Sequence, residues 1–309
     1  MSDVNGLPPV VMAVATRLLA ELYTSCLKVV APLFAGDLDR AMVFALFLNI
    51  HLSPGEAQRA ISINSSAMAL GRPFETVRRH VTALVAARLC IRDSQGVRIA
   101  PAICDAPVAI HAMERVHDVV VRYVKDSIRA GIVTPPAVPT RRTFAREDGT
   151  RTAIDIMLSI ADRYRPLISD ATDLALVMAV LAAASSSASP AAGVVAADAP
   201  DVIADPGRLA ADFTPRTLRV ATLARMFGMA ESTVRRRTLA LASPGGLLIR
   251  ERVGVRIAPD WVGRLDAAAH ADGLHGTLSF GMARVAAAGF PFDDPASAYI
   301  RTRPPLTFD

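Results

Sequence analysis

The sequence predicts a mostly α-helical protein made of two related halves, each of which contains a small β-hairpin. The stretch FETVRRHVTALVAARLCIRDSQGVRIAP (residues 74–101) returns in altered form as ESTVRRRTLALASPGGLLIRERVGVRIAP (residues 231–259). The apolar residues mostly recur at helical spacing, and after Leu89 their period changes to two. The same order of helix and hairpin therefore occurs twice, which indicates an internal duplication.

The repeat shows which positions of the two halves correspond. Placing residues 61–84 over 218–241 matches TVRR (76–79) with TVRR (233–236), and Gly71 with Gly228. One inserted residue later, IRDSQGVRIAP (91–101) lies over IRERVGVRIAP (249–259). Upstream, PLFAGDLDRAMVFAL (32–46) resembles PLISDATDLALVMAV (166–180) at a different offset. The duplication therefore extends over the whole chain.

Irregular segments set the expected domain boundaries. TPPAVPTRRTFAREDGT (134–150) has three closely spaced prolines, so we expect a linker between a first half at 1–133 and a second half at 151–309. The number of residues that separates corresponding positions of the two halves changes within a Ser-, Ala- and Pro-rich segment that has no periodicity. We therefore expect a flexible insertion at about 185–207.

Each half is predicted to begin with a long apolar helix, at about 9–33 and 152–167. Asp37 and Asp170 suit the N-caps of the second helices. In the first half a short helix at about 64–70 ends at Gly71, and the next begins near Phe74. The last helical segments lie at 106–130 and 260–290. We interpret them as core helices, with an alternative role in joining the halves or two chains.

The helix that begins at Phe74 is predicted to be amphipathic. Apolar residues at helical spacing form one face, with Glu75, Arg79 and Ala83 opposite; the apolar residues are Val77, Val81, Leu84 and Val85. One face should therefore pack on the protein and leave the other free.

The hairpin that follows should point Ile91, Val97 and Ile99 inward, around an Asp-Ser-Gln-Gly turn. Arg92 and Arg98 would then project outward from neighbouring strands, where like charges destabilise the pair unless an anion lies near them. Arg250 and Arg256 repeat this arrangement.

Composition narrows the expected partners. The chain has a formal net charge of +5 and a pI of about 9.5, which favours a polyanionic partner. Nearly all of the basic residues are Arg, which we partly attribute to a GC-rich genome. The three cysteines have no metal-ligand spacing, and neither a signal peptide nor a membrane span is expected, so we predict a cytoplasmic protein. No motif predicts catalysis, a metal or a cofactor.

A short helix, a glycine turn, a basic helix and a hairpin, in that order, resemble the winged helix-turn-helix DNA-binding domain of bacterial transcriptional regulators. About forty residues in each half carry the resemblance, ISINSSAMALGRPFETVRRHVTALVAARLCIRDSQGVRIAP and LRVATLARMFGMAESTVRRRTLALASPGGLLIRERVGVRIAP. The resemblance implies that the second helix enters the major groove and that the hairpin, or wing, lies along the backbone or minor groove.

The resemblance implies a set of DNA-binding residues. The base-reading candidates are Glu75, Thr76 and Arg79 in the first half, and Ser232, Thr233 and Arg236 in the second. The candidates for phosphate contacts are Arg72, Arg78, His80, Arg235 and Arg237 beside the helices, and Arg92, Arg98, Arg250, Arg252 and Arg256 on the wings.

The expected function is a sequence-specific, double-stranded DNA-binding transcriptional regulator that obtains two recognition helices from one chain as an intramolecular pseudo-dimer. Because the halves have diverged, for example at Thr238 in place of Val81, the preferred site should be an imperfect palindrome. Self-association and an apolar effector remain open. The alternatives are a plasmid-type replication initiator and a tandem winged-helix module that binds proteins rather than DNA.

Overall fold

The computed structural model describes residues 9–53, 55, 59–134, 143–184, 216–258 and 267–308. In this part the chain is mostly helical and carries two antiparallel β-hairpins, which confirms the predicted fold class at that level. The predicted insertion at 185–207 lies outside the described residues, as does most of the predicted linker.

The elements of the first half follow the predicted order. They are α1 (Pro9–Val30), a 3-10 helix (Ala31–Phe34), α2 (Leu38–His51), α3 (Ile63–Leu70), α4 (Phe74–Ala86), β1 (Cys90–Asp93), β2 (Gly96–Ile99), a 3-10 helix (Pro101–Ile103) and α5 (Pro107–Arg129). Those of the second half are α6 (Arg146–Tyr164), α7 (Ala171–Ala184), α8 (Val220–Phe227), α9 (Glu231–Leu241), β3 (Leu248–Glu251), β4 (Gly254–Ile257), α10 (Ala267–Ala287) and a 3-10 helix (Pro295–Ala298).

The helix ends have the predicted chemistry. Asp37 caps α2 by accepting a hydrogen bond from the Arg40 N–H at 2.9 Å. Asp170 accepts from the N–H groups of Thr172 and Asp173 at 2.9 and 3.0 Å. These carboxylates satisfy N–H groups that have no partner within the helix.

The linker prediction is wrong at its end, because α6 already begins at Arg146. Asp148 accepts a hydrogen bond from the Ala145 N–H, which starts the helix inside the segment that we interpreted as linker. The prolines of that segment lie upstream of this point and do not obstruct the helix.

The hairpins share one register and one supporting contact. Cys90 pairs with Ile99, and Leu248 pairs with Ile257 at the corresponding position. A third extended segment adds an antiparallel bridge to each hairpin, Ile61 with Val97 and Leu218 with Val255. Each bridge consists of two backbone hydrogen bonds of 2.8 to 3.0 Å. Each hairpin is therefore tied to the residues just before α3 or α8.

The predicted orientation of the first hairpin is wrong by one residue on β1. Cys90 is buried with Val97 and Ile99, whereas Ile91 is 37% exposed and lies opposite Arg98. Directly paired residues share a face of an antiparallel sheet, so Cys90 lies on the same face as its buried partner Ile99. The inward-facing position of β1 is therefore Cys90, one residue before the predicted Ile91.

The halves do not have separate cores. One cluster of buried side chains joins α1 and α5 of the first half to α6, α7, α8, α10 and the second hairpin. A smaller cluster contains α2, α3, α4 and the first hairpin, including Phe47, Val77 and Leu84. Helices α1 and α5 of the first half therefore share a core with the second half.

The packing of the helices is reciprocal. Helix α1 packs against α7, and the corresponding α6 packs against α2. Helix α5 packs against α6, and the corresponding α10 packs against α1. Within each half, α1 contacts α5 as α6 contacts α10. These contacts between the halves therefore occur in corresponding pairs, whereas the contact of α5 with the last 3-10 helix has no counterpart in the described part of the chain.

Residues 298–308, here called the returning segment, run back over the first half. Buried Asp118 accepts hydrogen bonds from the N–H groups of Ile300 and Arg301, at 2.9 and 3.1 Å. Glu21 accepts one from the Thr307 N–H at 2.6 Å. The returning segment therefore fills the hydrogen-bonding capacity of charged side chains buried in α1 and α5.

Within the described residues, no single helix has both the length and the apolar character to cross a membrane; only residues 14–34 and 38–51 together pass that test, as a pair bent by 103°.

Candidate nucleic-acid interface

Helices α4 and α9 each rest on their own half by one apolar face. Val77, Val81 and Leu84 of α4 are completely buried, and α4 packs against α2 and α3. Helix α9 packs in the same way against α7 and α8. Buried Thr238 replaces Val81, and its hydroxyl donates a hydrogen bond to the Val234 carbonyl at 2.8 Å. The substitution therefore leaves no unsatisfied hydroxyl in the core.

Arg79 and Arg236 occupy corresponding positions on the opposite, exposed faces of α4 and α9. Neither guanidinium makes a hydrogen bond or an ion pair with any residue that the structure describes. A planar guanidinium with five free donors suits a bidentate contact to guanine or to phosphate. This pair keeps the exposure that the sequence predicts for base-reading residues.

Arg78 and Arg235 also lie on the exposed faces, but each has an acidic partner on its own helix. The guanidinium of Arg78 donates to Glu75 at 2.6 and 2.7 Å, and that of Arg235 donates to Glu231 at 2.7 Å. Exposed ion pairs of this kind contribute little to stability, because water screens them. A phosphate could therefore displace the carboxylate at small cost.

The three predicted hydroxyl readers differ in access. Ser232 is exposed and lines a shallow groove with Arg235, Arg236 and Leu239. Thr233 and Thr76 are half-buried. Thr76 lines a small crevice together with Arg165 and Asp170 of the other half. Of these three hydroxyls, only that of Ser232 belongs to an exposed residue.

The prediction that His80 and Arg237 flank the helices as exposed phosphate ligands is wrong for His80, which is 6% exposed. His80 Nδ1 lies 3.6 Å from a carboxylate oxygen of Asp37. Arg237, at the corresponding position of α9, is half-buried and donates to Asp170 and Asp173 at 2.8 and 2.9 Å. Both side chains therefore hold α4 and α9 to the acidic N-termini of α2 and α7.

Arg72 has a similar structural contact, since its guanidinium donates to Asp39 at 2.5 Å. Burial raises the pKa of the Asp39 carboxyl above its ordinary value, and the Arg72 guanidinium partly offsets this effect. Burial likewise lowers the pKa of His80, against the influence of Asp37 and Asp39. Arg72, His80 and Arg237 are therefore committed to packing within the protein.

The hairpins carry exposed arginines in corresponding places. Arg92 and Arg250 are exposed without a hydrogen-bonding partner in the described part of the chain, and Arg252 is exposed at the second turn. Arg98 and Arg256 pair instead with Asp93 and Glu251 of the neighbouring strand. Because Arg92 lies opposite Val97 and Arg98 opposite Ile91, the expected like-charge pair is wrong, and no anion is needed to relieve it.

Arg88 is an exposed cation that the sequence analysis missed. It lies between α4 and the first hairpin in a left-handed conformation, with φ of 60°. The corresponding residue of the second half is Gly245, with φ of 79°. The glycine at the corresponding position was the sequence signal for a left-handed turn here. Glycine adopts this conformation readily, whereas arginine adopts it only where the fold requires it.

Together, α4 and α9 present Arg79 and Arg236, and the hairpins present Arg92 and Arg250, at matching positions. Among the described residues, no three His, Cys, Asp or Glu side chains lie close enough together to hold a metal ion. No protein-family model, curated protein or solved structure matches this chain.

Proposed function

We propose that the chain is a sequence-specific double-stranded DNA-binding transcriptional regulator, in which two winged helix-turn-helix units of common origin form an intramolecular pseudo-dimer. The single observation that carries the proposal is the duplicated set of exposed arginines without partners in the described part, Arg79 and Arg236 on the helices and Arg92 and Arg250 on the hairpins. Arginines whose only role is to face solvent have no requirement to recur, unpaired, at corresponding positions of both units.

The pseudo-dimer is supported by the reciprocal packing of α1 with α7 and of α6 with α2. Regulators that read palindromic sites ordinarily obtain this symmetry from two identical chains, with half-sites about one helical turn apart. The core that the two halves share supports a similar relation within one chain. The single chain also permits different sequences on α4 and α9.

The assignment of roles follows side-chain access. Arg79 and Arg236 are proposed to read base edges, with Ser232 as a further reader in the second unit. Arg92, Arg250 and Arg252 are proposed to contact phosphates, joined by Arg78 and Arg235 once these leave their carboxylate partners. Thr76, Thr233 and Glu75 remain secondary candidates at the helix starts, and Arg98 and Arg256 remain so on the wings.

The test is selection of binding sites from a pool of genomic DNA fragments, followed by fluorescence anisotropy at several salt concentrations. The proposal predicts an enriched two-part site and an affinity that falls steeply as salt rises, because phosphate contacts release counterions. Arg79→Ala and Arg236→Ala should each cost about 1 to 3 kcal/mol and relax the preference at one base position, in different halves of the site.

Arg115→Ala is the matched control, because Arg115 is an exposed arginine of α5, which is part of neither helix-hairpin unit. It removes the same charge and should leave site preference unchanged. The proposal fails if no sequence is enriched, or if Arg115→Ala weakens binding as much as the two helix variants do.

A protein-binding role is the second candidate, favoured by exposed apolar side chains on the helices of both units. Phe74 at the start of α4 is 49% exposed, Met68 of α3 is 73% exposed and Leu239 of α9 is 42% exposed. Phe74→Ser and Leu239→Ser would reduce partner binding in that case. Affinity for DNA would then be weak and indifferent to the loss of Arg79 and Arg236.

A further inference from the structure

A cavity of about 230 Å³ lies beneath the first helix-hairpin unit. Helices α1, α2, α5 and α6 form its walls, and side chains such as Leu27, Met42, Met113 and Met157 are buried in them. Leu33 and Val108 are exposed apolar side chains that belong to the same lining. The cavity is therefore an apolar interior space with an opening, rather than a flat patch.

The lining is almost free of polar groups. Among the described residues that line it, none has a charged side chain, and the polar side chains are Thr150 and the thiols of Cys26 and Cys104. The Thr150 hydroxyl already lies 2.9 Å from the Arg146 carbonyl and 3.2 Å from the Met113 carbonyl. Burial raises the pKa of the Cys26 thiol to about 12, so this thiol stays neutral. Such a lining cannot compensate an ion for its lost hydration.

The volume limits the size of an occupant. A cavity of about 150 Å³ lined by Leu, Ile and Phe binds benzene, which has six carbon atoms. The present cavity is about half as large again, so it suits a ligand of roughly nine or ten carbon atoms. A helix of a partner protein is about 10 Å wide and would not enter this space between four packed helices. A partner or a second copy could contact only the exposed rim at Leu33 and Val108.

We propose that this cavity is a binding site for a neutral, apolar small molecule of about the size of naphthalene. Its position gives binding a structural consequence. Leu89 connects α4 to β1, and Ile103 and Cys104 connect β2 to α5, so the lining includes both attachments of the first hairpin. Occupation should therefore restrain these attachments. Binding itself is independent of the proposed function in DNA recognition.

The test uses naphthalene as the probe and equilibrium dialysis of the full chain without DNA. Saturable binding with one site is expected. Ala112→Phe, which places a ring in the cavity from α5, should weaken binding roughly tenfold or more. The control Ala283→Phe, on an exposed position of α10, should leave the affinity unchanged. The anion 2-naphthoate should bind at least roughly tenfold more weakly than naphthalene, since no cation lines the site.

A second measurement does not depend on the folding of a variant. In the wild-type chain, saturating naphthalene should slow alkylation of Cys104 and hydrogen exchange of the amides at 89–106, while exchange in α9 stays unchanged. Absence of saturable naphthalene binding overturns the proposal, as does a concentration-dependent association of chains through the rim without any protection of Cys104. Failure of DNA binding would leave these results unaffected.

Discussion

At the scale of single residues, charged side chains in this protein divide into those that serve the interior and those that face solvent. Arg122 is only 2% exposed, and its guanidinium donates to Glu21 and Ser25 at 2.9 Å and to the carbonyls of Pro304 and Pro305. Arg79, by contrast, is exposed with no hydrogen-bonding partner in the described part. The two arginines have the same side chain, and only their surroundings separate their roles.

Arg122→Met should destabilise the fold by about 3 to 5 kcal/mol, because it leaves the buried Glu21 carboxylate without its cation. Urea unfolding followed by circular dichroism measures the free energy of unfolding. The double variant Arg122→Met, Glu21→Leu should recover part of the loss, since no charge is then left unpaired. Arg115→Met is the exposed control and should change stability by less than about 0.5 kcal/mol. Equal effects of the buried and exposed variants would contradict the account.

His80 should make stability depend on pH. Burial lowers its pKa in the folded protein below the ordinary 6.5, against the opposing effect of Asp37 and Asp39 and with small contributions from Arg40 and Arg79. The unfolded chain therefore binds a proton on His80 more readily than the folded chain, so stability is lost as pH falls through about 6.5.

The variant His80→Gln removes this titration. The difference in unfolding free energy between wild type and His80→Gln should move against the wild type as pH is lowered from about 7.5 to 5.5. Urea titrations at four pH values measure the difference. A difference that stays constant over this range would show that the surroundings of His80 do not disfavour its charged form.

At the scale of elements, each hairpin depends on a glycine at the point where the third extended segment crosses it. A Cβ atom added at Gly96 would lie 2.6 Å from the Ile61 carbonyl oxygen, and Gly96 has φ of 130°. A Cβ atom at Gly254 would collide in the same way with the Leu218 carbonyl. Side chains at these two positions are therefore incompatible with the bridges that anchor the hairpins.

Gly96→Ala should destabilise the protein by about 1 to 3 kcal/mol and speed hydrogen exchange of the Ile61 and Val97 amides. Gly276→Ala is the matched control, because a Cβ atom there meets nothing within 4 Å on α10. That variant should stabilise by about 0.5 to 1 kcal/mol, since alanine is the better helix former. A stable Gly96→Ala protein with unchanged exchange would refute the close contact.

Local elements were predictable where a local signal decides them. Gly71 and Gly228 end α3 and α8 in the left-handed conformation, and Asp37 caps α2. The burial of His80 was not predictable, because α2 lies far from His80 in sequence and its acidic N-terminus is what holds the ring. The hairpin orientation failed at Cys90, because a cysteine and an isoleucine suit the interior equally well and tertiary packing chose between them.

At the scale of the whole molecule, the repeat in the sequence predicted two related units in a pseudo-dimer but not which helices of the two halves pack against each other. The interpretation of 106–130 as a core helix is confirmed for α5, in which Val116, Val120 and Val124 are buried. Its packing against α6 of the other half was not predictable, because the choice of partner depends on tertiary packing and not on the sequence of one segment. For the same reason, the contacts of the returning segment with Asp118 and Arg122 had no sequence signal.

The shared core predicts that the halves unfold together. Leu176→Ala in α7 removes a fully buried side chain of the common cluster and should cost about 2 to 5 kcal/mol. Native-state hydrogen exchange should show the same loss of protection in α1 and α6, with one thermal transition. If α6 alone loses protection, the halves are independent folding units. The exposed Leu239→Ala on α9 is the control and should leave both helices unchanged.

The returning segment also determines the order in which parts of the chain can fold during synthesis. Asp118 and the amide of Ile300 that it binds are 182 residues apart in the chain. At a synthesis rate of about 5 to 20 residues per second, a ribosome needs roughly ten to forty seconds to pass from one to the other. During that interval α5 is complete, and Arg122 can already pair with Glu21, while the partners that the returning segment gives to Asp118, Arg122 and Glu21 are still missing. The first half is therefore synthesised early but acquires its full set of hydrogen bonds only at the end. A chaperone that binds nascent α5 would contact charged side chains there as well as valines.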